Sequence, residues 1–508
     1  MQQSKTHASA EIAADADMQT GGEQQANTLL FGFIPMVPLA FLGLGVYRAW
    51  IEIAFVGSFI DFPFGLSSMR DLFDSVMVIT AIACAMFAQR IGTLVGRHTA
   101  LSATAVLLVG STALLFSSYC LPEMAGALGA AAAVLGGMGI ALMILIWSEI
   151  YGCLNPLRVA IYYSLSIVVG ALVVYVYQGF KFDWLFVMTA LIPVVSLLMA
   201  HAAYSQLPNA ERPARRPAAE LSVPWKAVLL MATYAFAYGL LEEKSYAGGF
   251  GPHSLPGTLF AGLAIFVGVC ARGKRFNFTH IYRGALPITV AAFLLLPAFN
   301  LVSDQISALC VSVGYTMQSI LIMIVIATIC YRYGANAIWL FGIERGVRQI
   351  FMILGRDAND FALSFGLDAA TTDLAISALA VISIVAATMI FMSESNPSST
   401  WGAELVRKDD ELHEKTPAEL RHELSQRVVE VSRECGLSSR EEEVLLLLGQ
   451  RKTVGQIERE LFIANGTAKA HVRHVYQKLD IHTRQELFDK LGVQPEPDAA
   501  PANEPSNR

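Results

Sequence analysis

The chain has 508 residues, of which 54% are hydrophobic and only 15% charged, with a mean hydropathy of +0.50 and a formal net charge of -6. A length that would allow three or four soluble domains is thereby assigned to a membrane protein, because ordinary soluble domains carry about 25% charged residues. The seven cysteines, at 84, 120, 153, 270, 310, 330 and 435, form no CxxC pair and meet no histidine at metal-ligand spacing, so they read as reduced packing residues and no metal or cofactor is expected.

Residues 1–27 are polar, mildly acidic and rich in Ala and Gln, without a basic region leading into a short apolar core; they read as a disordered cytoplasmic leader. Twelve stretches of about twenty apolar residues then follow, each long enough to cross a bilayer. They lie near 29–49, 72–89, 99–118, 124–147, 159–178, 184–204, 225–242, 255–272, 283–300, 306–330, 335–355 and 371–392. The loop 205–224, with four prolines and three arginines, divides the membrane domain 28–392 into halves 28–204 and 225–392. With the N-terminus inside, the inner loops carry twelve Lys or Arg and the outer loops five: Arg48, Arg70, Lys181, Lys244 and Arg356. That bias places the lipid-embedded chain with both termini in the cytoplasm.

Six plus six spans with a basic central loop resemble the major facilitator superfamily. QRIGTLVGRH at 89–98, between the second and third spans, resembles that superfamily's loop motif, although Gln89 stands where an acidic residue is usual. The resemblance implies a transporter-like fold, and the departure leaves open whether the domain still cycles as a transporter.

Ionisable residues inside a span are expensive, ~2.5–3.5 kcal/mol each on insertion scales. Glu344 and Arg348 are four apart and can pair on one helix face, leaving Arg345 without a local partner. Two readings stay open: an ion pair closed by a carboxylate on another span, such as Asp74, Glu149 or Glu242, or a cavity that binds an anionic or polar small molecule. Tyr234 and Tyr238, also four apart, are candidates to line the same cavity.

After Ser393 the composition changes: this tail holds 16 of the 36 Lys and Arg and 21 of the 42 Asp and Glu. Residues 393–416 read as a polar linker, and Thr416, Pro417 and Glu419 as the start of an amphipathic helix 417–435 with apolar positions Leu420, Leu424, Val428, Val431 and Cys435. This helix is expected to pack on the following domain or on a second copy. Residues 493–508 read as a disordered tail.

The domain 436–492 shows four capped helices. Ser438 or Ser439 precedes Glu441 or Glu442 by three, which is a capping box opening one helix that ends at Gly449. A second helix covers 454–461, a tight connection 462–465 follows, and a third helix starts near Gly466 or Thr467; that is a helix-turn-helix. Ala468, Val472, Val475 and Leu479 make an apolar stripe on the third helix, with Lys469, Ala470, Arg473 and Gln477 on another face. Lys and Arg on that face have the reach to meet guanine edges in a major groove. Thr483 and Glu486 cap a fourth helix. From Gln450 to Arg484 seven Lys or Arg stand against three Asp or Glu, an asymmetry suited to phosphate neutralisation.

This block resembles the LuxR-type helix-turn-helix domain of the NarL/FixJ group, through Leu437, Arg440, Glu441, Glu443, Val444, Leu445, Leu448, Ile457, Leu461, Thr467, Lys469, His471, Val472, Tyr476, Lys478, Leu479, Arg484 and Glu486. The resemblance implies that Lys469, Ala470 and Arg473 read bases of double-stranded promoter DNA while Thr467 and Lys478 touch its backbone. Ala464 stands where a Ser commonly caps the recognition helix; Asn465 and Thr467 each offer an alternative oxygen, and the helix is expected to form without the Ser.

The fold expected is therefore all-α: a polytopic bundle of twelve spans in a bacterial inner membrane, followed by a small soluble four-helix domain. The function that follows is a membrane-bound, non-enzymatic transcription regulator whose membrane domain senses a small molecule and which binds DNA as a homodimer. A permease carrying a regulatory DNA-binding tail, and a transporter whose tail binds another protein, remain the alternatives.

Overall fold

Inside a bilayer every backbone donor and acceptor must be satisfied within its own segment, so long apolar stretches have helix as their available form. A computed structural model describes residues 37–56, 59–60, 66–208, 212–213, 223–240, 242, 256–272, 285–291, 304–364, 369–391, 417–461 and 463–493, and these contain helices and no strand. The expected leader, the linker, nearly all of the tail and most of the central loop lie outside the described residues.

The chain divides into two compact units, one within residues 29–414 and one within 415–508. In the first unit a helix or helical stretch stands at each expected span: α1 Leu39–Val56, α2 Leu66–Met86, α3 His98–Cys120, α4 Ala125–Tyr151, α5 Pro156–Tyr177, α6 Phe182–Gln206, α7 Trp225–Leu240, α8 Pro256–Arg272, α9 over 285–291, α10 Asp304–Tyr333, α11 Ala337–Ser364 and α12 Ala369–Phe391. Six described helices are long and apolar enough to cross a membrane by length and composition: α1, α3, α4 with the turn before it, α5, α6 and the Leu309–Tyr333 part of α10. α2 and α11 carry more charge, whose partners are given below.

Packing repeats with an offset of six helices. α1 lies on α5 and α7 on α11; α2 lies on α4 and α8 on α10; across the halves, α2 meets α11 and α5 meets α8. Glycine makes the tightest of these approaches possible, as small residues do wherever helix backbones touch in lipid. A Cβ on Gly45 would sit 1.7 Å from the Ser166 carbonyl oxygen across the α1–α5 contact. In the α7–α11 counterpart, Cβ atoms on Gly239 and Gly355 would fall 2.4 Å and 2.3 Å from the carbonyl oxygens of Met352 and Phe236.

One boundary differs from expectation in a way that matters. The first span, expected near 29–49, is described as a helix running to Val56, with a π-helical turn over Glu52–Val56. Arg48 and Glu52, expected in or beside an outer loop, are therefore buried within a membrane helix at 8% and 0% exposure. The hydropathy signal misplaced this helix because its C-terminal half carries two charges.

The second unit contains α13 Pro417–Glu434, α14 Ser439–Gly449, α15 Val454–Leu461, α16 Asn465–Leu479 and α17 Arg484–Leu491. Leu424, Val428 and Val431 of α13 share one apolar core with Val444 to Leu448, Ile457, Leu461, the α16 stripe and Leu487, Phe488 and Leu491. Of the two placements expected for the amphipathic helix, the one on its own domain is observed.

Backbone contact at glycine gives a direct test. Gly355→Ala is expected to destabilise the detergent-solubilised protein by ~1–3 kcal/mol, the usual cost of overpacking. Gly126→Ala, whose Cβ would meet nothing within 4 Å, is expected to leave the unfolding midpoint unchanged.

Candidate DNA interface and membrane site

Two clusters of charge are built into the membrane unit, and α11 contributes to both. The first joins α2 to α7 and α11. Arg356 donates to Glu242 at 2.9 Å, to Asp71 at 2.8 Å and to Asp74 at 2.7 Å; Arg70 pairs with Glu242 and lies 3.9 Å from Asp74. Its deeply buried carboxylates, Asp74 and Glu242, balance the two arginines, while Asp71 is half-exposed. Arg70 and Arg356, expected in outer loops, are thus within helices and paired, which leaves only Lys181 and Lys244 of the five basic residues assigned to the outer side.

The second cluster lies among α1, α5, α10 and α11. Arg348 donates through Nε to Glu344 Oε1 at 2.6 Å, through Nη2 to the same oxygen, and through Nη1 to Ser319 Oγ at 3.2 Å. Ser319 Oγ is 3.4 Å from the Tyr163 hydroxyl, which accepts a bond from Arg48 Nη1 at 3.1 Å. The i,i+4 pairing expected for Glu344 and Arg348 is present in this geometry. Arg345 is not closed by Asp74, Glu149 or Glu242: the first and third serve the other cluster, and Glu149 Oε2 accepts the backbone N–H groups of Leu94 and Val95 at 2.9 Å and 2.8 Å. Arg345 Nε instead stands 3.6 Å from Glu344 Oε2 and has no hydrogen-bond partner. It is within electrostatic reach of Tyr47, Tyr163 and Tyr315.

Tyr238 packs on Tyr315 with ring centroids 4.5 Å apart and the planes tilted by 35°. Tyr234 is not brought to that cluster by any described contact; it is hydrogen-bonded to Thr388 and packs in an apolar cluster with Ile384 and Ala387. Arg48, Tyr163 and Ser319 escaped the sequence reading. The signal available for Arg48 was a charge, with Glu52 four residues on, inside the apolar run GLGVYRAWIEIAF.

In the second unit, Ser438 caps α14: its N–H donates to Glu441 Oε2 at 2.7 Å, and Glu441 N–H donates back to Ser438 Oγ at 3.4 Å. Val475 and Ala468 of α16 are fully buried, and Val472 and Leu479 nearly so, which fixes the opposite face outward. Several cations are taken up internally. Arg440 donates to Leu461 O at 2.9 Å, Arg484 to Lys452 O at 3.0 Å and Lys490 to Leu479 O at 2.6 Å. Lys478 Nζ donates to Glu441 Oε2 at 2.8 Å and to Gly436 O at 3.0 Å. Lys469, Arg473 and Gln477 are exposed and make no side-chain hydrogen bond or ion pair with the described residues, while Ala470 and Thr467 are half-buried on the same helix.

The recognition helix begins at Asn465, one residue earlier than expected, with Ala464 in the cap position and no capping side chain there. The Asn465 amide nitrogen donates to Glu458 Oε2 at 2.8 Å. Ala464, Asn465 and Gly466 are exposed, and the N–H groups of Thr467 and Ala468 donate to the Ala464 carbonyl at 2.8 Å and 3.0 Å.

Residues 436–491 match the family "Bacterial regulatory proteins, luxR family", and this segment is a LuxR-type helix-turn-helix domain. The remainder is similar in fold to solved transporters. A bacterial homologue of the iron transporter ferroportin, in its outward-facing state, aligns with a TM-score of 0.50 at 12% identity, over 70% of this chain and 96% of that one. The human organic anion transporter MFSD10 (TETRAN) aligns at 0.48 and 15%, over 69% and 98%. The Major Facilitator Superfamily transporter FucP aligns at 0.46 and 14%, over 69% and 96%. No curated protein matches the chain in sequence. The protein thus joins a LuxR-type DNA-binding domain to a membrane unit similar in fold to a bacterial ferroportin homologue.

Glu441 gives the domain a measurable acid limit. Burial alone would raise its carboxyl, but the bond from Lys478 and those from Ser438 outweigh it and hold the value at about 2. A value depressed below that of the unfolded chain contributes stability that is complete above about pH 4.5 and is lost as pH falls towards 2. Thermal melts of residues 415–493 are expected to show ~1–2 kcal/mol of that loss between these limits, discounted for the exposed end of Lys478. Glu441→Gln is expected to remove this component from the pH profile.

Proposed function

We propose that the protein is a one-component transcription regulator of a bacterial inner membrane, in which the membrane unit senses a small molecule and the LuxR-type domain binds promoter DNA. The observation that carries this reading is the free outward face of α16. Lys469, Arg473 and Gln477 are held out by a buried stripe and have no partner among the described residues. Lys469, Ala470 and Arg473 read base edges in the major groove, with Gln477 further along the same face; Thr467 and Lys478 contact the backbone. A single such domain meets few bases, so two copies bind a twofold-symmetric site. The sensing site is the second charge cluster, with Glu344, Arg345 and Arg348 at its centre, Tyr238 joined to it through Tyr315, and Tyr234 outside it.

Both termini are cytoplasmic in this reading. The support for this is the sequence bias of twelve Lys or Arg in the inner loops against five in the outer ones. A reporter fused after Asn396 is expected to be active only in its cytoplasmic form, and a periplasmic result would separate the domain from DNA.

The test of function is a fluorescence titration of the full-length protein in nanodiscs against its own promoter at several salt concentrations. Arg473→Ala is expected to cost ~1–3 kcal/mol and to relax base preference at one position in each half-site. Lys478→Ala should weaken all sequences alike and lower the salt slope by about one. Equal loss on cognate and scrambled DNA for Arg473→Ala would remove the base-reading role. Vectorial uptake of solute by proteoliposomes, without promoter binding, would favour a permease.

A further inference from the structure

The two charge clusters differ in their balance. In the first, Arg70 and Arg356 face the buried Asp74 and Glu242, with Asp71 reaching solvent. In the second, Arg345 and Arg348 share the single carboxylate of Glu344, while Arg48 and Glu52 stand one turn apart on α1 with partners of their own. Among the described residues of α11 at this level that leaves two cations to one anion in an interior where an uncompensated charge is strongly unfavourable.

The surplus can be placed on a particular group. Arg348 spends all three nitrogens, two on Glu344 and one on Ser319. Arg48 is committed to the Tyr163 hydroxyl. Arg345 has its Nε buried without a hydrogen bond, 3.6 Å from an oxygen of Glu344 that is itself buried without one. Its planar fork is the available donor, and a fork is matched by a planar or tetrahedral oxyanion, not by a point charge. Tyr47, Tyr163 and Tyr315 are within electrostatic reach of it, and Tyr238 packs on Tyr315. Tyr163 is tied to the cluster directly, through Ser319, which Arg348 also bonds, and through Arg48.

We infer that the second cluster is the binding site of a small organic monoanion, whose carboxylate takes the fork of Arg345 and whose body, apolar or aromatic, lies against the tyrosines. This rests on the sensing reading for its biological meaning and deepens it by naming the ligand class. One negative charge closes the balance; a dianion such as phosphate would reverse it, and a neutral molecule would leave it open.

The experiment uses the full-length protein in nanodiscs and begins without ligand. Because Arg345 is the surplus charge, Arg345→Gln is expected to raise the ligand-free thermal midpoint by a few degrees, whereas Arg348→Gln, which strands Glu344, lowers it. Benzoate is then titrated beside its neutral isostere benzamide, inorganic phosphate and chloride. Benzoate should raise the wild-type midpoint saturably, benzamide and phosphate should not, and Arg345→Gln should abolish the shift. Arg345→Lys, which keeps the charge and loses the fork, should weaken benzoate binding about tenfold or more. It serves as the second variant if Arg345→Gln does not fold. A lower ligand-free midpoint for a folded Arg345→Gln, equal effects of benzoate and benzamide, no benzoate effect, or undiminished benzoate binding by Arg345→Lys would each overturn the assignment. Chloride or phosphate acting as strongly as benzoate would mark an adventitious ion only and overturn it too. Promoter binding is recorded on the same samples. If benzoate binds as stated and promoter affinity does not respond, the sensing reading fails while the ligand class stands.

Discussion

The cost of holding charge among apolar helices is the constraint on which the membrane unit depends. A lone guanidinium or carboxylate there is strongly unfavourable, so each must find partners, and those partners come from distant parts of the chain. Arg356 reaches Asp74 across 282 positions, and Arg48 reaches Tyr163 across 115. Such pairings specify which helix lies against which and in what register, a specification that apolar contact in lipid supplies poorly because lipid tails compete equally well for a Leu or Ile face. The glycine approaches at α1–α5 and α7–α11 act with them, since backbones that touch allow little sliding.

The C-terminal unit obeys the same logic in water. Its core is built from one stripe on each helix, and its cations are sorted by whether a carbonyl or carboxylate of the domain claims them. Arg440, Arg484 and Lys490 tie loops and helix ends together. Lys478 ties α16 to the cap of α14 through Glu441, so the residue expected on a phosphate is also part of the hinge between two helices. Those left unclaimed on α16 are the ones whose reach suits a DNA groove. The basic excess counted along the sequence overstated the charge on offer to DNA, because a count cannot tell a structural arginine from a free one.

Much of the architecture was legible from the chain alone, for physical reasons that differ by region. The capping box at Ser438 and Glu441, the α15 bounds and the α16 stripe are local patterns, fixed by residues three or four apart, and local patterns survive into the fold. Glu344 and Arg348 were readable as a pair on the same ground. What escaped was non-local or contrary to hydropathy. Arg48 and Glu52 moved α1 by several residues because charges inside an apolar run look like its end, and their compensation by Tyr163 and its neighbours is invisible in sequence. Of the two readings open for Arg345, closure by a carboxylate on another span is met by none of Asp74, Glu149 and Glu242, each of which is engaged elsewhere. At the start of α16 Ala464 brings no capping side chain, and the Asn465 amide nitrogen turns to Glu458, a contact seven residues back that no local pattern announces.

α11 carries Glu344, Arg345 and Arg348 at one level and Arg356 two turns further on, about 12 Å along a single unbroken helix. A helix is stiff over that distance, so a change of tilt or rotation that suits one set of ion pairs is imposed on the other. Two charge clusters that share no partner are therefore not independent: α11 works as a lever arm, and the geometry at either end is a readout of the other.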